Sequence, residues 1–128
     1  YDNARARVAM EFPLSGLPDG ANVTKATLRA YFVKGTKLTH SLRGYAGNGT
    51  IEIADIQVDG TPVTFVPDGD DTYTTVDVTS LVTPTVVDSG WAGLQMRRDV
   101  DTELVNVFYC RSRIGTEPPT LTIDYLAP

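Results

Sequence analysis

The stretch Arg7-Val8-Ala9-Met10-Glu11-Phe12-Pro13-Leu14-Ser15-Gly16-Leu17-Pro18-Asp19-Gly20-Ala21-Asn22-Val23-Thr24-Lys25-Ala26-Thr27-Leu28-Arg29-Ala30-Tyr31 decides the fold. Apolar residues alternate at Val8, Met10, Phe12 and Leu14, the pattern of a strand with one buried face. Leu17-Pro18-Asp19-Gly20 follows as a turn, because Pro presets φ at an early turn position and Gly accepts φ > 0 near its end. A second alternation runs through Ala26, Leu28, Ala30 and Phe32.

The same rhythm continues along the chain. Turn signals recur at Lys34-Gly35, Gly47-Asn48-Gly49, Asp59-Gly60, Pro67 to Asp71, Ser89-Gly90 and Gly115 to Pro119, with short Thr-, Val- and aromatic-rich runs between them. That spacing predicts an all-β fold, an antiparallel β-sandwich of jelly-roll-like form. Ile56 to Phe65 reads as a hairpin around Asp59-Gly60. The one helical signal is a single turn at Thr79 to Val82, capped by Asp77 or Thr79 and ended by Pro84. The predicted core comprises Val8, Met10, Phe12, Leu28, Ala30, Phe32, Val78, Leu94, Phe108, Leu121 and Ile123.

The 128 residues fit one domain, 1–128, without repeats or linkers. No apolar run is long enough for a membrane span. Lys+Arg total 11 against Asp+Glu 16, a formal net charge of −5 that argues against nucleic acid as the partner. The single cysteine, Cys110, has no intramolecular disulfide partner and reads as a buried, inert thiol.

Several segments resemble, in order, those of the DNRLRE-type β-sandwich module of secreted prokaryotic proteins. Phe12-Pro13-Leu14-Ser15 resembles its Phe-Asp-Leu-Ser strand end, and Ala26-Thr27-Leu28-Arg29-Ala30-Tyr31 its Ala-x-Leu-x-x-Tyr strand. Asp77-Val78-Thr79-Ser80-Leu81-Val82 is similar to Asp-Val-Thr-x-x-Val, and Trp91-Ala92-Gly93-Leu94 to a Trp followed by a Gly-apolar strand. Phe108 to Arg113, then Pro118 to Tyr125, resemble the closing strands. Pro13, Met10-Glu11 and Ile114 depart from the family pattern, so no family role is carried over to them. The resemblance implies secretion or a cell-surface location and, for some relatives, carbohydrate binding; a structural role would allow a virion surface as well. It also implies that Trp91 packs in the core. Relatives carry one or two further N-terminal strands, so the first strand is expected to lie at an edge. Either the chain's own loops shield that edge, or the chain was cut from a longer protein, or another subunit supplies the strand.

No catalytic constellation can be assembled, and the chain is read as a non-enzyme. There is no Gly-x-Ser-x-Gly elbow to pair with the only histidine, His40, which reads as a hydrogen-bonded, partly buried residue between Leu38 and Leu42. One His and one Cys far apart do not make a zinc site. Asp68, Asp70 and Asp71 form the densest acidic loop and are the candidate Ca²⁺ ligands, although the spaced pattern of an EF-hand is missing and no other cofactor is implied. Asp99, Asp101 and Glu103 read as a solvated hairpin tip, and no carboxylate pair is singled out for glycoside hydrolysis.

For recognition of sugars, aromatic faces and bidentate arginines are the relevant chemistry. Strand parity places Arg29 with Tyr31 and Arg43 with Tyr45. These residues, with Arg97 and Arg98, are the candidate ligand-binding set; Tyr73, Arg111 and Arg113 are further candidates. Tyr125, which alternates with Leu121 and Ile123, reads as core. Asn22-Val23-Thr24 and Asn48-Gly49-Thr50 are glycan acceptor sequons. Two partner classes follow: an acidic polysaccharide, favoured by the arginines, or neighbouring protein subunits of a filament, envelope or virion.

Overall fold

The computed structural model describes residues 7–34, 39–56, 58–69, 71–98, 109–110 and 118–127, with backbone only at Arg7, Val33, Lys34, Ile56, Arg98, Tyr109 and Cys110. Eight strands are described: β1 (Arg7–Pro13), β2 (Asn22–Lys34), β3 (His40–Ala46), β4 (Val63–Phe65), β5 (Thr72–Asp77), β6 (Trp91–Arg98), β7 (Tyr109–Cys110) and β8 (Thr120–Leu126). They form two antiparallel sheets, β1-β6-β3-β4 and β5-β2-β7, with β8 also paired to β2. We call these sheet A and sheet B. The chain crosses between them at β1–β2, β2–β3, β4–β5, β5–β6 and β6–β7, the crossing habit of a jelly roll. The protein is therefore an all-β sandwich.

The quoted stretch supplies the frame. Ala26, Leu28, Ala30 and Phe32 are each at most 2 % exposed, so β2 presents its even residues to the interior and its odd residues outward. Leu42, Leu94 and Met96 meet them from sheet A, and all are fully buried. Val8, Met10, Phe12, Leu121 and Ile123 are only partly buried, packed on the rim of that core. The reason is position: β1 is an edge strand of sheet A, and β8 pairs only with β2 among the described residues. Phe108 lies outside the described residues. His40 is fully buried between aromatic rings, stacked with Phe65 at 5.5 Å and edge-on to Phe32 at 5.6 Å.

The link from β5 to β6 closes the core. Asp77 Oδ1 accepts from the Thr79 N–H at 2.9 Å and from its hydroxyl at 2.6 Å, which fixes a 3-10 turn at Thr79–Leu81. Those two bonds hold the Asp77 carboxyl below its usual range. Thr79 Oγ1 in turn accepts the Ala26 N–H, and the Val78 N–H reaches the Ala26 carbonyl. Helix α1 (Ile53–Ile56) precedes this link in the chain, and a second helix, α2 (Pro84–Ser89), follows the 3-10 turn. Pro84 thus opens a helix where the sequence reading has it ending one. Thr83 is the N-cap, its hydroxyl oxygen accepting from the Val86 N–H, and a proline at the first helical position loses no hydrogen bond. Gly90, in the left-handed region at φ 83°, ends it.

Among the described residues, 56–65 does not form the expected hairpin. Ile53–Ile56 is helical, with the Glu52 N–H donating to Asp55 Oδ2, and only Val63–Phe65 is a strand, paired with β3. The segment instead crosses the outer face of sheet A, where α1 packs on β1 and β6. Tyr125 is also not core: it is 41 % exposed, because a register shift at Val23/Lys25 carries the end of β8 past the sandwich interior.

Candidate functional site

The candidate residues divide between the two outer faces of the sandwich. On sheet B, Arg29 and Tyr31 point outward from β2. Tyr31 lies directly across from Tyr73 on β5, and the rings meet edge to face at 5.2 Å and 87°. The Arg29 guanidinium carbon sits 3.5 Å from the Tyr73 ring centroid. Arg29 remains exposed. Its cation is thus held over a π-face with donors turned to solvent. Thr75 and Thr120 flank Arg29 in register on either side, and Thr122 lies opposite Thr27 on the same face. All four threonines carry hydroxyls on a surface whose aromatic members are tyrosines.

Sheet A is different. Arg43, Tyr45 and Arg97 share its outer face, in register with Gln95, Gly93 and Ser41, and α1 and Val58–Asp59 lie against that side of the sheet. Ser41 and Gln95 are fully buried although they point away from the core. Their polar groups are satisfied within the layer: Arg43 Nη1 donates to Ser41 Oγ at 2.7 Å, and Arg97 Nε donates to Gln95 Oε1 at 3.0 Å. Arg97 Nη2 donates to the Val58 carbonyl and lies 3.9 Å from the exposed Asp59 carboxylate. Arg97 thus ties the crossing segment to the sheet at Val58 and Asp59, while Arg43 is held to Ser41 on its own strand. The side chain of Arg98 lies outside the described residues, as do Arg111 and Arg113.

The crossing segment is fixed at its start by Glu11. Its Oε1 accepts the N–H groups of Asn48 at 3.1 Å and Gly49 at 2.7 Å. Asn48 Oδ1 accepts the Thr50 N–H and its Nδ2 donates to Glu52, so this sequon's amide is engaged. Glu11 Oε2 and the Tyr45 hydroxyl are buried near each other, close enough to couple electrostatically, yet neither closes a hydrogen bond of normal geometry. Burial first, and the Glu11 charge second, push the Tyr45 phenol far above its ordinary pKa.

Trp91 is not in the core. Ala92, Leu94 and Met96 take the inward positions of β6, so Trp91 faces outward and packs against Gly47 and Gly49. It also lines an open cleft of about 510 Å³ between the β1–β2 turn and the end of α2. Sequence reasoning passed over this cleft, although the burial parity of β6 already assigns Trp91 to the outer side.

In the acidic loop, Asp68 and Asp71 are exposed, the Asp68 N–H donates to Thr74 Oγ1, and Asp71 has φ 51°. Asp70 lies outside the described residues, as do Asp99, Asp101 and Glu103. Among the described residues no three His, Cys, Asp or Glu side chains converge as metal ligands. No described helix is long and apolar enough to cross a membrane.

Compared with known proteins, the chain matches no family model, and no curated protein is significantly similar to it.

Proposed function

We propose that this chain is a non-catalytic, carbohydrate-binding accessory module of a secreted or cell-surface protein, of the DNRLRE type, and that it grips an acidic polysaccharide on the outer face of sheet B. The observation that carries this reading is the Arg29–Tyr73–Tyr31 cluster. A guanidinium fixed over a ring loses little freedom on binding and keeps its paired donors for a carboxylate. The threonine hydroxyls around it suit the hydroxyls of a sugar chain. Arg43 and Arg97 are left out of this reading: Arg97 donates to Gln95 and to the Val58 carbonyl, and Arg43 donates to Ser41 on its own strand. Calorimetric titration with polygalacturonate and with neutral glucans tests the function. The reading requires binding to the polyuronate that Arg29→Ala removes; binding to neutral glucans alone contradicts it.

A second reading, a structural subunit that assembles through a sheet edge, is favoured by one observation. Phe12, Leu14, Leu17, Leu121 and Ile123 line an open apolar groove of about 170 Å³ between the β1 and β8 edges. An added strand would cover it. Sizing at high concentration separates the readings: a monomer removes this one.

A further inference from the structure

We propose that the cleft beside Trp91 is a second binding site, and that it takes a neutral, hydroxyl-rich ligand, a short stretch of uncharged hexose or pentose units. The proposal does not rest on the sheet B reading; it uses different residues at a different place on the sandwich.

The cleft of about 510 Å³ is within the usual range of small-ligand sites. Its wall is mixed. Trp91, Leu17 and Val87 offer apolar surface, while Asp19, Asp88 and Ser15 offer oxygen acceptors. Among the described residues no Lys, Arg or His lines it, so an anionic ligand would meet two carboxylates and no counter-charge there. A wholly apolar ligand would strip water from those carboxylates without replacing it. A metal ion needs converging donors, and the described residues hold no such group. A sugar ring satisfies both kinds of wall. Its axial C–H face lies on an indole, and its equatorial hydroxyls donate to carboxylates in strong, charge-assisted bonds.

The wall is also held in place before any ligand arrives. The Trp91 carbonyl accepts from the Gly47 N–H at 3.1 Å and from Ser89 Oγ at 3.0 Å. The indole abuts Gly49, whose N–H is anchored to the Glu11 carboxylate. The opposite rim is tied back by the Leu14 N–H to the Gly90 carbonyl at 2.9 Å, and the turn itself closes through Leu17 N–H to Leu14 and Ala21 N–H to Pro18. Such prior ordering lowers the entropic cost of binding. It also gives a function to the charged Glu11 on a strand edge: it sets the loop that positions the tryptophan.

Trp91 is the only tryptophan in the chain, so its fluorescence reports on this cleft directly. The test titrates the full chain with neutral tetrasaccharides of glucose, xylose and mannose, and with tetragalacturonate, following Trp91 emission and its quenching by acrylamide. The expected result is a saturable emission change and protection from quenching with at least one neutral tetrasaccharide. Asp88→Asn should weaken it about tenfold, as should Asp19→Asn, each having lost a charge-assisted bond. Both substitutions are at exposed positions, and unchanged thermal melting will show that they fold. Arg29→Ala, which disables the sheet B face, should leave the titration unchanged. No response to any of the neutral sugars overturns the proposal. So does an equal response to tetragalacturonate, a response that survives in both aspartate variants, or one that vanishes in Arg29→Ala. Loss of polyuronate binding in Arg29→Ala with an intact Trp91 titration would uphold both sites; absence of either signal in the wild-type chain identifies which reading has failed.

Discussion

Gly49 and Trp91 are fitted so closely that a β-carbon on the glycine would lie 2.9 Å from Cζ2 of the indole. Gly49 also holds φ at +89°, where side chains are strained. Gly49→Ala should therefore destabilise the fold by about 2–4 kcal/mol, the sum of backbone strain and overpacking. Urea denaturation followed by circular dichroism measures this. A variant as stable as the wild type would mean that the glycine loop does not press on the tryptophan.

Tyr45 supplies a pH dependence. Its phenol stays protonated in the fold far above the ordinary value of 10.0, through burial and the Glu11 charge. Below about pH 10 both folded and unfolded chains keep this proton, so Tyr45 contributes no slope there. Above it the unfolded chain releases the proton and the folded one does not, so stability falls as pH rises. Tyr45→Phe should flatten that alkaline limb. At neutral pH it should lie within about 1 kcal/mol of wild type or be more stable, because it removes a buried hydroxyl without a closed hydrogen bond. Denaturation midpoints from pH 7 to 11 check both statements.

Asp77 acts at the other end of the pH scale. Its pKa is lowered by the Thr79 hydroxyl and N–H, so the stability it contributes is present above the ordinary carboxylate value and is lost as the solution is acidified through the depressed one. Asp77→Asn, which keeps an acceptor oxygen for the turn, should show a shallower loss than the wild type as the solution is acidified below the ordinary carboxylate range. Midpoints measured across that window decide it; identical acid limbs would show that the cap carries no charge dependence.

The rim and the centre of the core should respond differently. Phe32 is 1 % exposed and touches His40 and Phe65, whereas Phe12 is only partly buried at the β1 edge. Phe32→Ala should cost about 3–5 kcal/mol and Phe12→Ala clearly less, since a partly buried ring leaves a smaller cavity. Equal losses in denaturant unfolding would place β1 deeper in the core than the sandwich has it.

Much of this was legible in the residues, for physical reasons. The two-residue period of Ala26 to Phe32 forces one face inward wherever the strand pairs, and Asp77 with Thr79 carries its own turn. Local signals misled where tertiary context governs. Asp59-Gly60 has hairpin chemistry, but Arg97 draws the Val58 carbonyl onto sheet A and Gly60 becomes part of a crossing segment. Pro84 reads as a helix end until Thr83 is recognised as its cap. Arg43 and Tyr45 do share a face, as their parity requires, but parity cannot reveal that another segment lies against it. Pairing across strands is what brings Tyr73 under Arg29 and places the glycine loop against Trp91, and no spacing within one strand encodes that.

Arg29 is the residue on which the proposed recognition depends most directly. The measurement is retention of the wild-type chain and of Arg29→Ala, Arg29→Lys and Tyr73→Phe in native gels containing polygalacturonate, at low salt and near 0.5 M salt. Wild-type protein should be retarded at low salt and released at high salt, as screening of a solvent-exposed charge requires. Arg29→Ala should run unretarded, and Arg29→Lys should be intermediate because it keeps the charge and loses the fork. Tyr73→Phe, which keeps a ring beneath the guanidinium, should bind nearly as the wild type does. Retardation of Arg29→Ala equal to that of the wild type, or no retardation of any form, would contradict the assignment of sheet B as a polysaccharide-binding face.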